Sequence, residues 1–311
     1  MDTVDATSHD NSDLEIESPA LLVVVLDTNP RAWTLLEDLP LSHALTPLLV
    51  FINAHLAINS ANKVAVIASH SDRAQWLYPS PSPNSHRLEN EANRYRPFAL
   101  LEDALRSNLR ELMESTAPET VAATPATKLA GALTRSLAYL SSQSLSAPAA
   151  SGVTRMQLNA ASAVGGNDVS DETTSAAATR ELSSRILIVS VSGDLADSYI
   201  ELMNAIFACQ RLAVPIDVLK LAGDPVFLQQ ASDTTGGIFT LLSTPEARKG
   251  MLQYLMFAHL PDITARKYLV SPGEGEGVDF RAACFCHKNV VDLAYVCSRA
   301  NRRGAEKAGC G

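Results

Sequence analysis

Unbroken apolar runs alternate along this chain with stretches whose apolar residues recur every three to four positions. Leu21-Leu22-Val23-Val24-Val25-Leu26, ending at Asp27, has no polar interruption. That is the pattern of a parallel strand covered on both faces. Residues 63–68 and 185–190 repeat it, and 216–221 and 237–242 are shorter candidates. Between the strands, Leu41, Leu45, Leu48, Leu49, Ile52 and Leu56 keep helical spacing, with Pro47 predicting a late start or a kink. Further helical stripes are Leu101-Leu105-Leu109-Leu112, Leu129-Leu133-Leu137-Leu140, a run from Tyr199 to Phe207, and one from Met251 to Met256. Strands alternating with amphipathic helices predict an α/β protein with a doubly wound, mostly parallel sheet.

The periodicity breaks in four places. Residues 1–19 carry six acids and no Lys or Arg, and read as a disordered N-terminus. Residues 79–93 contain Pro-Ser-Pro-Ser-Pro and read as an extended loop. Residues 141–184, rich in Ser, Ala, Thr and Gly, lack the apolar surface to order themselves and read as a disordered insertion. Gly273-Glu274-Gly275-Glu276-Gly277 reads as a hinge. The division expected is a sheet domain over 20–260, a linker over 261–280 and a small module over 281–311.

At 311 residues, 46% of them apolar and 19% charged, the chain can bury a large core. A net charge of −9 speaks against a broad phosphate-binding surface, so direct nucleic-acid binding is not expected. No basic, apolar leader opens the chain, and no apolar run approaches the ~18 residues of a membrane span. The expectation is a soluble intracellular protein without membrane contact.

Open α/β sheets gather function at the carboxyl ends of their strands. Asp27-Thr28-Asn29-Pro30-Arg31 and Ser192-Gly193-Asp194 fall there. No closely spaced glycines follow the first strand, which excludes a dinucleotide fingerprint. Asn29 stands where an aspartyl-phosphate hydrolase would want a second Asp. What remains is a hard-cation site built from Asp27 and Asp194 with Thr127, serving a metal-dependent hydrolase or ligand-binding domain. The bland alternative has Asp27 capping a loop or pairing with Arg31, whose positive charge stands where an oxygen ligand would be wanted. His43, His55, His70 and His259 read as packed or surface histidines. Cys209, alone in an apolar helix, reads as core. The other four cysteines lie within 284–310: Cys284-Phe285-Cys286-His287, then Cys297 and Cys310. That bunching suggests zinc, with Cys310 or His287 as the fourth ligand.

Three of these stretches carry a resemblance. Asn62-Lys63-Val64-Ala65-Val66-Ile67-Ala68-Ser69-His70 with Trp76-Leu77-Tyr78-Pro79, then residues 228–237, then 279–287 with Tyr295-Val296-Cys297-Ser298, resemble the smaller von Willebrand A-like subunits of the general transcription factor TFIIH. The resemblance implies a six-stranded von Willebrand A-like domain followed by a zinc-type module, and a non-catalytic scaffold in RNA polymerase II initiation and nucleotide excision repair. It implies a nuclear location and partners in the larger von Willebrand A-like subunit, through that subunit's C-terminal ring region, and in the other core subunits. Structural zinc would be held by Cys284, Cys286, Cys297 and Cys310, and no magnesium is expected. Two departures stand out. Metal-binding A domains carry Asp-x-Ser-x-Ser, and here Asp27-x-Asn29-x-Arg31 replaces it, leaving a degenerate site with Asp194. After Cys297 the family pattern continues into further cysteines, whereas this chain runs through a basic tail, so the module reads as incomplete.

Overall fold

The computed structural model describes residues 19–79, 97–123, 126–146, 182–193, 198–223, 226–266 and 268–270, with residues 278, 280–283, 290–291, 295–297 and 302–304 beyond them. Six strands form one sheet: β1 (Ala20–Asp27), β2 (Lys63–Ser69), β3 (Ala74–Tyr78), β4 (Ser183–Ser190), β5 (Ile216–Lys220) and β6 (Phe239–Leu241), in the order β3-β2-β1-β4-β5-β6. The sheet is mixed. Pairings from β2 through β6 run parallel, and β3 lies antiparallel on the edge beside β2. The strand at Ala74–Tyr78 has no counterpart in the apolar-run reading. It is an edge strand with only Leu77 buried, so it lacks the run that marks the central strands.

Helices cover both faces. On one side lie α1 (Pro30–Leu35), α2 (Leu41–Ile58), α3 (Pro97–Glu114) and α9 (Met251–Tyr254), packing against Leu22, Val24 and Leu26. On the other, α5 (Leu129–Ser146), α6 (Tyr199–Arg211) and α7 (Val226–Thr235) pack against Leu21, Val23 and Val25. The alternation of side chains along β1 thus feeds two separate cores. The short helices α4 (Pro118–Ala123), α8 (Pro245–Lys249) and α10 (Ile263–Arg266) join these elements. α2 alone among the described helices has the length and apolarity of a membrane span, a segment the sequence reading had ruled out. Its Leu45, Leu48, Phe51 and Ile52 are instead buried in the core of the sheet.

Three boundaries move. α5 continues to Ser146, six residues into the stretch read as a disordered insertion, and Gln143 on its extra turn accepts a hydrogen bond from Lys63 Nζ (3.1 Å). β4 begins at Ser183, where its amide donates to Pro19 O (3.0 Å). The domain also runs past residue 260. α9 widens into a π-helical turn, Leu255–His259, and α10 follows within the stretch read as linker. Four two- or three-residue strands, β7 (Ala282–Ala283), β8 (Val290–Val291), β9 (Tyr295–Cys297) and β10 (Arg302–Gly304), form two small antiparallel pairs. Apart from Pro19, Pro79 and Leu182, the remaining parts of the sequence read as disordered or hinge-like lie outside the described residues.

Candidate functional site

β1 is flanked by β2 on one side and β4 on the other, and helices leave in opposite directions there. This switch point opens a crevice at the carboxyl ends of the strands. It is lined with buried polar residues: Asp27, Thr28 and Asn29 at the end of β1, Ser69 and His70 at the end of β2, Thr127 before α5, Ser190 and Ser192 at the end of β4, and Lys220 at the end of β5.

Their hydrogen bonds are largely with one another. Asp27 Oδ2 accepts from the backbone N–H groups of Val191 (3.1 Å) and Ser192 (2.7 Å), and Oδ1 accepts from that of Asn29 (3.1 Å). Asn29 Nδ2 donates to Ser192 Oγ (3.3 Å), while Asn29 Oδ1 caps α1 by accepting from Arg31 N (3.2 Å). Thr127 Oγ1 donates to Ser69 O (2.9 Å) and touches the Ser69 hydroxyl. The Thr116 hydroxyl donates to Leu112 O (2.6 Å), so at 3.0 Å from His70 Nε2 its oxygen is the acceptor. His70 Nδ1 lies 3.1 Å from the Thr28 hydroxyl, which itself donates to Ser69 O (3.3 Å). Burial lowers the pKa of His70 and so favours the neutral ring.

Of the residues singled out from sequence, Asp27, Asn29 and Thr127 meet here, and Asp194 lies outside the described residues. Arg31 does not supply the positive charge anticipated for the crevice. It is exposed and meets the crevice through its backbone amide. The buried basic side chain there is Lys220. Its Nζ donates to Ser190 Oγ (3.0 Å) and to Ser192 O, and the residue is 0% exposed. The signal for it was a lysine inside an apolar strand run, where an unpaired charge cannot reside.

Do these residues fit the divalent metal of a von Willebrand A site? Asp-x-Ser-x-Ser offers a carboxylate and two hydroxyls. Here the carboxylate is engaged by three amides, the serine positions hold an amide side chain and an exposed arginine, and the Thr127 hydroxyl is bonded to Ser69. A hard cation needs several free oxygens at short range, and this arrangement does not present them. The residues do not fit the metal.

The opposite end of the sheet holds a second charge cluster. Asp217 on β5, 1% exposed, accepts a two-pronged pair of bonds from Arg266 on α10 (2.8 and 2.6 Å) and one from Ile238 N (3.0 Å). Arg185 on β4 lies 3.8 Å from Asp217 and donates to the carbonyls of His259, Leu260 and Pro261. It thereby satisfies the open C-terminal carbonyls of the π-helical turn. Burial pushes Arg185 down to about 10, opposed by Asp217. Burial would raise Asp217, but the Arg266 fork, with His259 and Arg185, holds it below the usual carboxylate range. His55 and His259, as expected, are packed: both are buried and lowered to about 4, chiefly by burial. Cys209 is buried too, its thiol pushed up to about 12. Of the proposed zinc ligands, Cys284, Cys286 and Cys310 lie outside the described residues, and Cys297 ends β9 opposite Arg302.

The chain can be set beside known proteins. Residues 19–299 match the family described as Transcription factor Tfb4. The sequence is 41% identical over 296 residues to the general transcription and DNA repair factor IIH subunit tfb4 of Schizosaccharomyces pombe, covering 94% of this chain and 86% of that one. It is 32% identical over 304 residues to the corresponding subunit of Saccharomyces cerevisiae (91% and 80% covered) and 32% identical over 285 residues to that of Arabidopsis thaliana (90% and 82%). The crystal structure of the TFIIH p34 N-terminal domain, 40% identical, superposes with a TM-score of 0.58 over 77% of this chain and 97% of that one. The chain shares the fold of that p34 domain and belongs to the Tfb4 family of transcription factor IIH subunits.

Proposed function

We propose that this chain is a non-catalytic scaffold subunit of the general transcription and DNA repair factor IIH, acting in the nucleus through protein contacts. The observation that carries the reading is the state of Asp27. The one carboxylate kept from the metal-binding pattern is spent on three backbone amides that tie the β1 and β4 loops together. A metal-dependent hydrolase or ligand-binding domain using Asp27 and Asp194 is not favoured, because it would need that carboxylate free.

The partner is the larger von Willebrand A-like subunit, by way of its C-terminal ring region, with the other core subunits around it. The apolar material for such a contact is sparse on most helices. α2 and the Met251–His259 stretch are largely core, leaving Val50, Ile58 and Phe257 outside. α6 leaves Ile200 and Phe207, seven residues apart and so on one stripe, 49% and 53% exposed. We place the partner on that stripe. Structural zinc, held by Cys284, Cys286, Cys297 and Cys310, belongs to the same proposal.

Affinity purification of the chain from its own cells, followed by mass spectrometry, tests the reading. Stoichiometric recovery of the other factor IIH subunits is expected, and recovery of the chain alone would overturn it. Zinc content measured on the same material should fall when Cys284→Ala and Cys286→Ala are introduced. Unchanged content would remove those cysteines from the ligand set.

A further inference from the structure

The misfit between the crevice and a divalent metal raises the question of what balances the charge of Asp27 there. Ser192 supplies the connection. Its N–H donates to Asp27 Oδ2 (2.7 Å), its hydroxyl oxygen accepts from Asn29 Nδ2 (3.3 Å), and its carbonyl accepts from Lys220 Nζ. A carboxylate thus sits at the amide side of this residue and an ammonium at its carbonyl side, each facing the end of the peptide dipole that favours it. Register fixes the approach. Lys220 is paired with Ser190 across β4 and β5, so the two side chains share a face, and the lysine stem carries its amine past the strand end to Ser192. Asp27 and Lys220, on strands separated by β4, are both buried.

We propose that the Lys220 ammonium is the resident cation of this crevice, standing in charge and in hydrogen bonding where the A-domain metal would be needed. A metal binds loop oxygens from several strand ends and holds those loops in one arrangement. Lys220 ties β5 to the end of β4 from within the chain by drawing Ser190 Oγ and Ser192 O to one positive centre, while Asp27 ties β1 to the amides of the same loop. The β4 loop is clasped from both sides, and the domain keeps its shape without an exchangeable ion. Lys220 is a positioning residue in this scheme, distinct from Arg31, whose side chain takes no part.

The test uses the whole protein with its lysine side chains labelled with carbon-13 and assigned. At neutral pH the Lys220 ε-carbon should report a protonated amine, and millimolar Mn2+, a paramagnetic probe, should leave its line width unchanged. A neutral amine, or broadening of that line by Mn2+, would overturn the proposal. Independently, the melting temperature should be the same in EDTA as in millimolar Mg2+. Lys220→Met, which keeps the stem and removes the charge, should lower it by about 10 °C. A Lys220→Met protein that melts with the wild type would show that the charge is dispensable. If that variant does not fold, the wild-type spectra still decide.

Discussion

Acidification should cost this domain stability well before its carboxylates titrate, because two histidines are buried where a proton is unwelcome. His55 and His259 are 2% and 1% exposed, and both are held at about 4, against 6.5 for a free histidine. Burial is the leading cause at each, and Arg185 opposes protonation of both. Neither His259 ring nitrogen, nor His55 Nε2, has a hydrogen-bond partner among the described residues, so no acceptor waits for the added proton. The sign follows directly. The unfolded chain binds protons at these sites from pH 6.5 downward and the folded chain only near 4, so stability is unaffected above 6.5 and falls as the pH drops through that window. With 1.36 kcal/mol per unit of pKa, each histidine contributes a loss of about 2 kcal/mol at pH 5, and the pair about 4. That is a large share of the roughly 5–15 kcal/mol a domain has in hand. Asp217 adds a loss of the same sign only below 3.8, since its carboxyl is lowered in the fold. Urea unfolding followed by circular dichroism at a series of pH values would measure the slope. His259→Leu, which discards a ring with no hydrogen-bond partner among the described residues, should remove about half of it. A urea midpoint that is level or rising between neutral pH and 5 would refute the argument.

Three further outcomes can be checked. Arg266→Ala leaves Asp217 buried with Arg185 no nearer than 3.8 Å, and should cost about 3–5 kcal/mol in urea unfolding, with Arg266→Lys recovering only part of it because the fork is lost. Gly237→Ala would put its methyl 1.9 Å from Ile216 O, so the soluble yield should collapse. Gly236→Ala, with open space around a φ of +71°, should cost only about 1 kcal/mol. Ile200→Glu with Phe207→Glu should move stability by less than about 0.5 kcal/mol each, since both are exposed, yet reduce recovery of factor IIH subunits in the purification. Unchanged recovery would move the contact off α6.

The central strands were readable because each is covered on both faces and so cannot afford a polar residue without a purpose. The same fact marks exceptions that the sequence reading passed over. Arg185, Asp217 and Lys220 sit inside apolar runs, and each proved to be a buried, bonded charge. What they bond to was not readable, since Asp217 finds Arg266 across 49 residues and Lys220 finds Ser192 across 28. Arg31 misled for the opposite reason: its position in the metal-binding pattern suggested a role for its charge, but capping of α1 by Asn29 sends the side chain to the surface. β3 was missed because an edge strand needs only one buried side chain. The π-helical turn was missed because its extra residue per turn leaves no mark in a three-to-four spacing.

These charges divide between the two ends of the sheet, and that division bears on function. At the carboxyl ends, Asp27 and Lys220 grip the β4 loop; at the amino ends, Arg185 and the Asp217–Arg266 pair fix the turn that leads into α10. An open α/β sheet ordinarily keeps its carboxyl end adaptable, because loops there must close on a ligand. Here both ends are fastened by buried ionic groups whose partners must all move together if any one does. Binding energy from a partner on a helical face would therefore meet a stiff body rather than loosen it, and little would be lost to reordering the domain on assembly. That is the property a scaffold needs, and it predicts that Arg266→Ala, far from the α6 stripe in sequence, weakens assembly only as far as it weakens folding.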